Sequence, residues 1–144
     1  MSDQRDKSFA DLATVAAALT RHLELVGHQH EDVVELTPTE VLVTRYLEFH
    51  PGSSATEVAH NLKLQASNLS TALKALEGKA MITRERSPED GRLMLLNLTP
   101  KASRSISQIR AAWSQELANA DLSDSDLAIT LRSMQALLAK YETF

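Results

Sequence analysis

One stretch, Leu62–Ile82, constrains the fold of this chain more than any other, because its middle predicts a helix with two unlike faces. Apolar residues recur there at three- and four-residue steps: Leu69, Ala72, Leu73 and Leu76. Short polar residues and one lysine follow the same steps on another face: Ser67, Ser70, Thr71 and Lys74, with Asn68 beside them. This spacing is typical of an amphipathic α-helix. A polar helix face is often merely solvated, so the neighbouring segments must decide its role.

The segments before this helix predict two further helices and a tight turn. Leu36–Glu40 holds a threonine cap, a proline at the first helical position and a glutamate that completes a capping box. Ser54 and Glu57 form a second capping box that opens a short helix. Lys63–Gln65 leaves room only for a turn before the amphipathic helix. Two helices joined in this way predict a helix-turn-helix.

The segment after the amphipathic helix predicts a β-hairpin. Met81–Arg86 and Arg92–Leu98 are the two predicted strands, and the loop between them contains proline and glycine. A helix-turn-helix followed by a hairpin is the order of a winged helix. Arg84, Arg86 and Arg92 lie on this wing, and the last two are expected near its tip.

Three long helices with apolar stripes are predicted outside this central unit: Ser8 to about Val26, one starting at Thr99-Pro100, and one capped by Ser123. We expect them to pack together as a second layer and to form a homodimer, because such stripes more often bury against a second subunit than face water. The alternative is a monomer whose helices cover their own stripes. The predicted dimerisation residues are Phe9, Leu12, Leu19, Ile106, Ile109, Trp113, Leu131 and Leu138. The predicted divisions are 1–35, 36–99 and 100–144.

Charge and composition narrow the classes of function. The net charge is −4, yet residues 53–104 carry a net charge of +3 and the remainder −7. A basic centre between acidic arms is expected if only the centre touches a polyanion. The chain has no cysteine, which excludes disulfides and thiolate chemistry, and its apolar runs are too short to span a membrane. A cytoplasmic location is expected, with no cofactor.

These motifs together resemble the MarR (multiple antibiotic resistance regulator) family of winged helix-turn-helix transcriptional regulators, over roughly residues 9–141. The motifs that carry the resemblance are Leu36–Glu40, Thr56–Ala59, Leu64–Leu76 and the wing from Asp90-Gly91-Arg92 into Leu96–Ala102. The resemblance implies a mainly α fold with a small β-hairpin wing, a two-fold dimer, a recognition helix in the major groove and a wing in the minor groove. Before the first wing strand, Ala80 stands where the family usually has glycine. Gly78 is therefore a candidate for the left-handed position.

The predicted DNA contacts fall on the recognition helix and the wing. Amide side chains suit the paired donor and acceptor of adenine, whereas hydroxyls serve either bases or phosphates and a lysine suits phosphate. The helix residues are Gln65, Ser67, Asn68, Ser70, Thr71 and Lys74, and the wing residues are Arg84, Arg86, Ser87, Asp90 and Arg92. The resemblance makes Arg92 the wing arginine, oriented by Asp90. It also implies a small aromatic or acidic effector between the two layers, near His22, Tyr46 and Trp113.

The sequence thus predicts a homodimeric regulator, a repressor of a near-palindromic operator on double-stranded DNA, released by an effector. The alternative is a winged-helix interaction module without DNA binding, which the acidic total and the single lysine on the recognition helix would suit. No constellation of catalytic residues is recognisable, so an enzyme is not expected. His28 and His30, with Glu31 and Asp32, could bind a metal if extended, but a solvated loop is the preferred interpretation and no metal site is predicted.

Overall fold

The structure is a computed structural model that describes residues 2–31 and 33–141. It is mainly helical, with a small antiparallel sheet, and the elements follow one another with short connections. In chain order they are α1 (Ser2–Gly27), α2 (Pro38–Phe49), β1 (Ser53–Ser54), α3 (Ala55–Asn61), α4 (Ala66–Gly78), β2 (Ile82–Arg86), β3 (Met94–Leu98), α5 (Pro100–Leu117) and α6 (Asp124–Leu138). The predicted winged helix is confirmed. Helix α1 begins at Ser2, earlier than the predicted Ser8.

Both predicted capping boxes are formed. The Thr37 hydroxyl accepts from the backbone N–H of Glu40, and the Glu40 carboxylate accepts from that of Thr37. Ser54 and Glu57 make the same reciprocal pair at the start of α3. These bonds satisfy backbone donors that a helix start otherwise leaves unpaired, and they fix where α2 and α3 begin.

The core of the winged helix lies between α2, α3, α4 and the sheet. Its largest fully buried side chains are Leu47, Leu73, Leu76, Met81, Leu96, Val43 and Val58. The apolar face of α4 contributes four buried residues to this core, three of which are leucines. The opposite face of the helix is exposed. Burial of the leucine stripe therefore decides which face of α4 points outward.

The sheet has three strands in the order β1-β3-β2, so the hairpin's second strand is central. The strand β1 has two residues, and its Ser53 pairs with Leu96. This strand was not predicted, because two residues show no alternating pattern. The hairpin strands are also shorter than predicted: Met81 precedes β2, and Arg92 and Leu93 belong to the turn. Ile82 pairs with Leu98 and Arg86 pairs with Met94.

The turn between α4 and β2 contains a left-handed residue. Ala80 has φ = 55°, whereas Gly78 is the last residue of α4. The suggestion that Gly78 takes the left-handed position is therefore wrong, and alanine occupies it. A non-glycine residue there is strained. The Ala80 carbonyl accepts from the Thr99 hydroxyl at 2.7 Å, which ties this turn to the start of α5.

The terminal helices are packed unequally. Helix α1 contacts α5 near its end, where Gly27 is buried against Ile109 and the Trp113 indole N–H donates to the Leu23 carbonyl at 2.9 Å. Helix α6 buries no residue, and of the expected packing among the three helices the structure shows the contact between α1 and α5. Its apolar stripe is exposed to solvent in the part of the chain that the structure describes. Among the described residues, no helix has the length and hydrophobicity that a bilayer span requires.

Candidate nucleic-acid interface

The outward face of α4 carries all six predicted recognition residues, and all six are exposed: Gln65, Ser67, Asn68, Ser70, Thr71 and Lys74. Gln65 is the N-cap residue by backbone conformation, but its side chain makes no capping bond. The first N–H groups of α4 are therefore not capped by that side chain and point toward any anion placed there. Thr71 donates its hydroxyl to the Ser67 carbonyl at 3.1 Å, which holds its side chain against the helix.

The tip of the wing is shaped by Ser87 and Asp90. The Ser87 hydroxyl accepts from the backbone N–H groups of Glu89 and Asp90, at 3.3 and 3.2 Å. The Asp90 carboxylate accepts from the backbone N–H of Arg92 at 3.0 Å. Asp90 therefore orients the backbone at Arg92, and among the described residues no ion pair joins the two side chains. Ser87 and Asp90 build the turn that presents Arg92.

The three wing arginines have different surroundings. The Arg84 guanidinium makes two bonds to the Glu77 carboxylate on α4, at 2.8 and 3.0 Å. Arg86 donates to the Gly91 carbonyl across the hairpin at 3.1 Å. Within the described part of the chain, the Arg92 guanidinium makes no hydrogen bond, and it lies exposed at the tip. Of the three, Arg92 is the one whose charge is most available to a ligand.

Lys79, which belongs to none of the sequence motifs, fixes the far end of α4. The Lys79 ammonium lies 2.5 Å from the Glu40 carboxylate and donates to the Glu35 carbonyl at 2.8 Å. The Lys101 ammonium in turn donates to the Lys79 carbonyl at 2.8 Å. These contacts join α4 to the starts of α2 and α5. No local pattern signals them, because Lys79 and Glu40 are far apart in the sequence.

A second cation that the sequence analysis passed over lies in the turn between α3 and α4. Lys63 has φ = 53° and is exposed. It makes no side-chain bond among the described residues, so its ammonium is available to a phosphate beside the N-terminus of α4. Its position within the helix-turn-helix turn was a signal that could have identified it.

The three suggested effector residues lie in two places. His22 and Trp113 both bridge α1 and α5: the His22 ring lies 2.7 Å from the Glu116 carboxylate, and Trp113 binds the Leu23 carbonyl. Tyr46 lies in the core of the winged helix, where its hydroxyl accepts from Asn61 at 2.8 Å and its ring stacks on His50. His22 and Trp113 therefore share a surface that Tyr46 does not line.

The metal suggestion concerns the loop after α1. His28 lies 3.6 Å from Glu35, both side chains being largely exposed. Asp32 lies outside the described residues. Among the described residues, no group of three or more histidine or acidic side chains could hold a metal ion.

Comparisons with known proteins agree with this arrangement. The sequence profile of the MarR family matches residues 36–94. A MarR family protein from Bacillus stearothermophilus has a similar structure, with 17% identity, a TM-score of 0.78, and coverage of 97% of this chain and 96% of that one. The repressor CouR, solved on a 23-mer DNA duplex, is 28% identical with a TM-score of 0.66 over 90% and 89% of the chains. PcaV from Streptomyces coelicolor, solved with its natural ligand, is 22% identical with a TM-score of 0.60 over 89% and 92%. No curated protein matches the chain.

Proposed function

The chain belongs to the MarR family of winged-helix transcriptional regulators, and from this premise we propose that α4 reads the major groove of double-stranded DNA while Arg92 enters the minor groove. One observation carries the proposal: the exposed polar face of α4 and the unpaired Arg92 guanidinium belong to one winged-helix unit. In the proposed complex, the six polar residues of α4 read bases and phosphates. Ser87 and Asp90 shape the wing, and Lys63 adds a phosphate contact. Because the MarR family is a family of transcription regulators, no enzymatic activity is proposed for this chain.

We assign base reading to the N-terminal half of α4. Gln65 and Asn68 offer a donor and an acceptor together, which matches the edge of adenine. Lys74, as a point charge, suits a phosphate, and Arg92 suits the negative potential of a narrow minor groove. In this proposal α4 selects the DNA sequence, whereas Arg92 and the lysines supply most of the electrostatic affinity.

A homodimer is the second part of the proposal. Phe9, Leu12 and Leu19 of α1 are 45%, 39% and 39% exposed, and Leu131 and Leu138 of α6 are 56% and 40% exposed. These stripes form no part of the chain's own core, and a two-fold partner would cover them. Two recognition helices would then read a near-palindromic operator whose half-sites lie about 34–36 Å apart.

We further propose that the protein is a repressor in the prokaryotic cytoplasm, located on the nucleoid when bound, and that a small aromatic or acidic effector releases it. Support comes from two similar structures, one described as a transcriptional repressor on DNA and one solved with its natural ligand. Within this chain, His22 and Trp113 on the α1–α5 surface are the better candidates for effector contact. Tyr46 is buried in the core and already hydrogen-bonded.

The competing function is a winged-helix interaction module that does not bind DNA. The net charge of −4 favours it, because the acidic arms repel a polyanion. The two functions are distinguished by selection of bound duplexes from a random pool, followed by fluorescence anisotropy over a salt series. The regulator predicts an enriched near-palindromic sequence whose affinity falls steeply with salt. Asn119→Ala, in the connection between α5 and α6, is a control variant and should bind as wild type. No enrichment at low salt would support the interaction module.

A further inference from the structure

The strongest unassigned feature is the ion pair between the recognition helix and the wing. Glu77 lies in the last turn of α4 and Arg84 in the middle of β2. The guanidinium Nε donates to one carboxylate oxygen at 2.8 Å and a terminal nitrogen donates to the other at 3.0 Å. A bidentate pair fixes orientation as well as distance, because its two parallel N–H···O bonds keep both planar groups close to one plane. Such a contact holds the wing at one angle to α4.

The position of Arg84 in the sheet supports this role. Arg84 pairs with the buried Leu96, so its side chain stands on the face of the sheet that covers the core. It also lines a groove of about 270 Å³, together with Leu69, Leu73 and residues of α3. The guanidinium is thus directed toward α4 and away from the wing tip. Glu77 and Arg84 side chains are 38% and 34% exposed, so water screens the pair only in part.

We infer that Glu77 and Arg84 are positioning residues for DNA recognition, which set the spacing between the recognition helix and the wing without touching DNA. The inference rests on the proposed function and changes the sequence-based assignment of Arg84 as a direct DNA contact. If one half-site must receive α4 in the major groove and Arg92 in the adjacent minor groove, a fixed angle removes an entropic cost of binding. Loss of the pair then weakens the preferred duplex more than an unselected one.

The decisive variant is Glu77→Ala, because two physical effects predict opposite signs for it. Removing a carboxylate near DNA should tighten binding by electrostatics alone. Removing a positioning contact should weaken binding to the selected duplex, by about threefold to fivefold, with an unchanged salt slope. Glu85→Ala is the matched control: it removes the same charge from an exposed residue on the other face of β2. It should bind as well as wild type or better. The exchanged pair Glu77→Arg with Arg84→Glu should recover most of the loss.

Hydrogen exchange without DNA provides an independent readout. In Glu77→Ala, exchange of the β2–β3 amides should rise about threefold to fivefold, while that of α2 stays constant. Two results overturn the inference: unchanged wing exchange, or an Arg84→Ala variant whose salt slope drops as that of Arg92→Ala does. The second result would make Arg84 a phosphate contact. If wild type binds no selected duplex, the proposed function fails, and the exchange experiment still decides whether Glu77 and Arg84 hold the wing.

Discussion

The Lys79 ammonium lies 2.5 Å from the Glu40 carboxylate, whose side chain is only 6% exposed. One carboxylate thereby serves two purposes: it completes the capping box of α2 and anchors the residue that follows α4. The start of α2 and the end of the recognition helix are joined at this point.

Lys79→Met should lower the free energy of unfolding by about 2–3 kcal/mol. Breaking a buried pair costs about 3–5 kcal/mol, and the partial exposure of Lys79 reduces that figure. Denaturant titration measures the loss. Lys74→Met, on the exposed face of α4, is the matched control and should change stability by less than about 0.5 kcal/mol. Adding Glu40→Gln to Lys79→Met should recover part of the loss. Equal effects of Lys79→Met and Lys74→Met would contradict a role for the pair.

Ala80→Gly should stabilise the protein by about 0.5–1 kcal/mol. The alanine has φ = 55°, where its Cβ is strained, and glycine adopts this conformation freely, which outweighs its greater unfolded entropy. Ala75→Gly is the control inside α4 and should instead destabilise by about 1 kcal/mol. Thermal unfolding at fixed protein concentration measures both. A destabilised Ala80→Gly variant would mean that the turn is not strained.

Arg92→Ala and Asn68→Ala should separate affinity from specificity. Loss of Arg92 should weaken binding to selected and random duplexes alike and reduce the salt slope by about one per subunit. Loss of Asn68 should cost about 1–3 kcal/mol at the selected duplex and leave random duplex binding nearly constant. Anisotropy titrations at several salt concentrations measure both quantities. If the two variants behaved alike, the assignment of base recognition to Asn68 and of electrostatic affinity to Arg92 would be wrong.

Glu57 should make stability depend on pH in the acidic range. Bonds from the Ser54 backbone N–H and hydroxyl lower the pKa of the Glu57 carboxyl below its ordinary 4.5, against a smaller desolvation effect. A lowered pKa stabilises the folded state above the unfolded value, and this contribution is lost as pH falls below about 4.5 through the folded pKa. Glu57→Gln should therefore make the thermal unfolding midpoint depend less on pH between about pH 3 and 5.

Ser54→Ala is the companion variant, since it removes the hydroxyl and keeps the backbone bond. Ser54→Ala should reduce the pH dependence of the thermal midpoint in this range by less than Glu57→Gln does. A Glu57→Gln profile that parallels that of wild type would show that the capping box does not perturb this carboxyl.

The winged helix could be predicted because its signals are local. Capping boxes at Thr37 and Ser54 lie within three residues of their partners, and the leucine stripe of α4 repeats within two turns. The contacts that fix α4 in place are different in kind. Arg84 and Glu77 belong to different elements, and Lys79 meets Glu40 from 39 residues away. Side-chain hydrogen bonds between different elements leave no periodic trace in a sequence.

The sequence predicted which residues belong to the candidate site. It did not predict which neighbours each of them contacts. Arg84, Arg86 and Arg92 look equivalent in the sequence, yet they bind a carboxylate, a carbonyl and no described residue, respectively. Their difference depends on where the strands end and how they pair: Arg84 pairs with Leu96 and Arg86 with Met94, whereas Arg92 lies in the turn before β3. Helix α6 was predicted with its Ser123 cap, and the structure leaves its apolar stripe exposed.

If α6 pairs with a second copy as proposed, its exposed stripe links the concentration of this protein to its stability. In the proposed dimer a second copy covers this stripe, so the free energy of unfolding would depend on concentration, because dilution favours separated and less stable chains. In a proposed dimer, a scarce regulator would be both unpaired and short-lived, because unfolded chains are degraded. Any second chain in the same cell with a matching stripe would also exchange subunits with it, and the resulting mixed dimer would read an operator with two unlike halves.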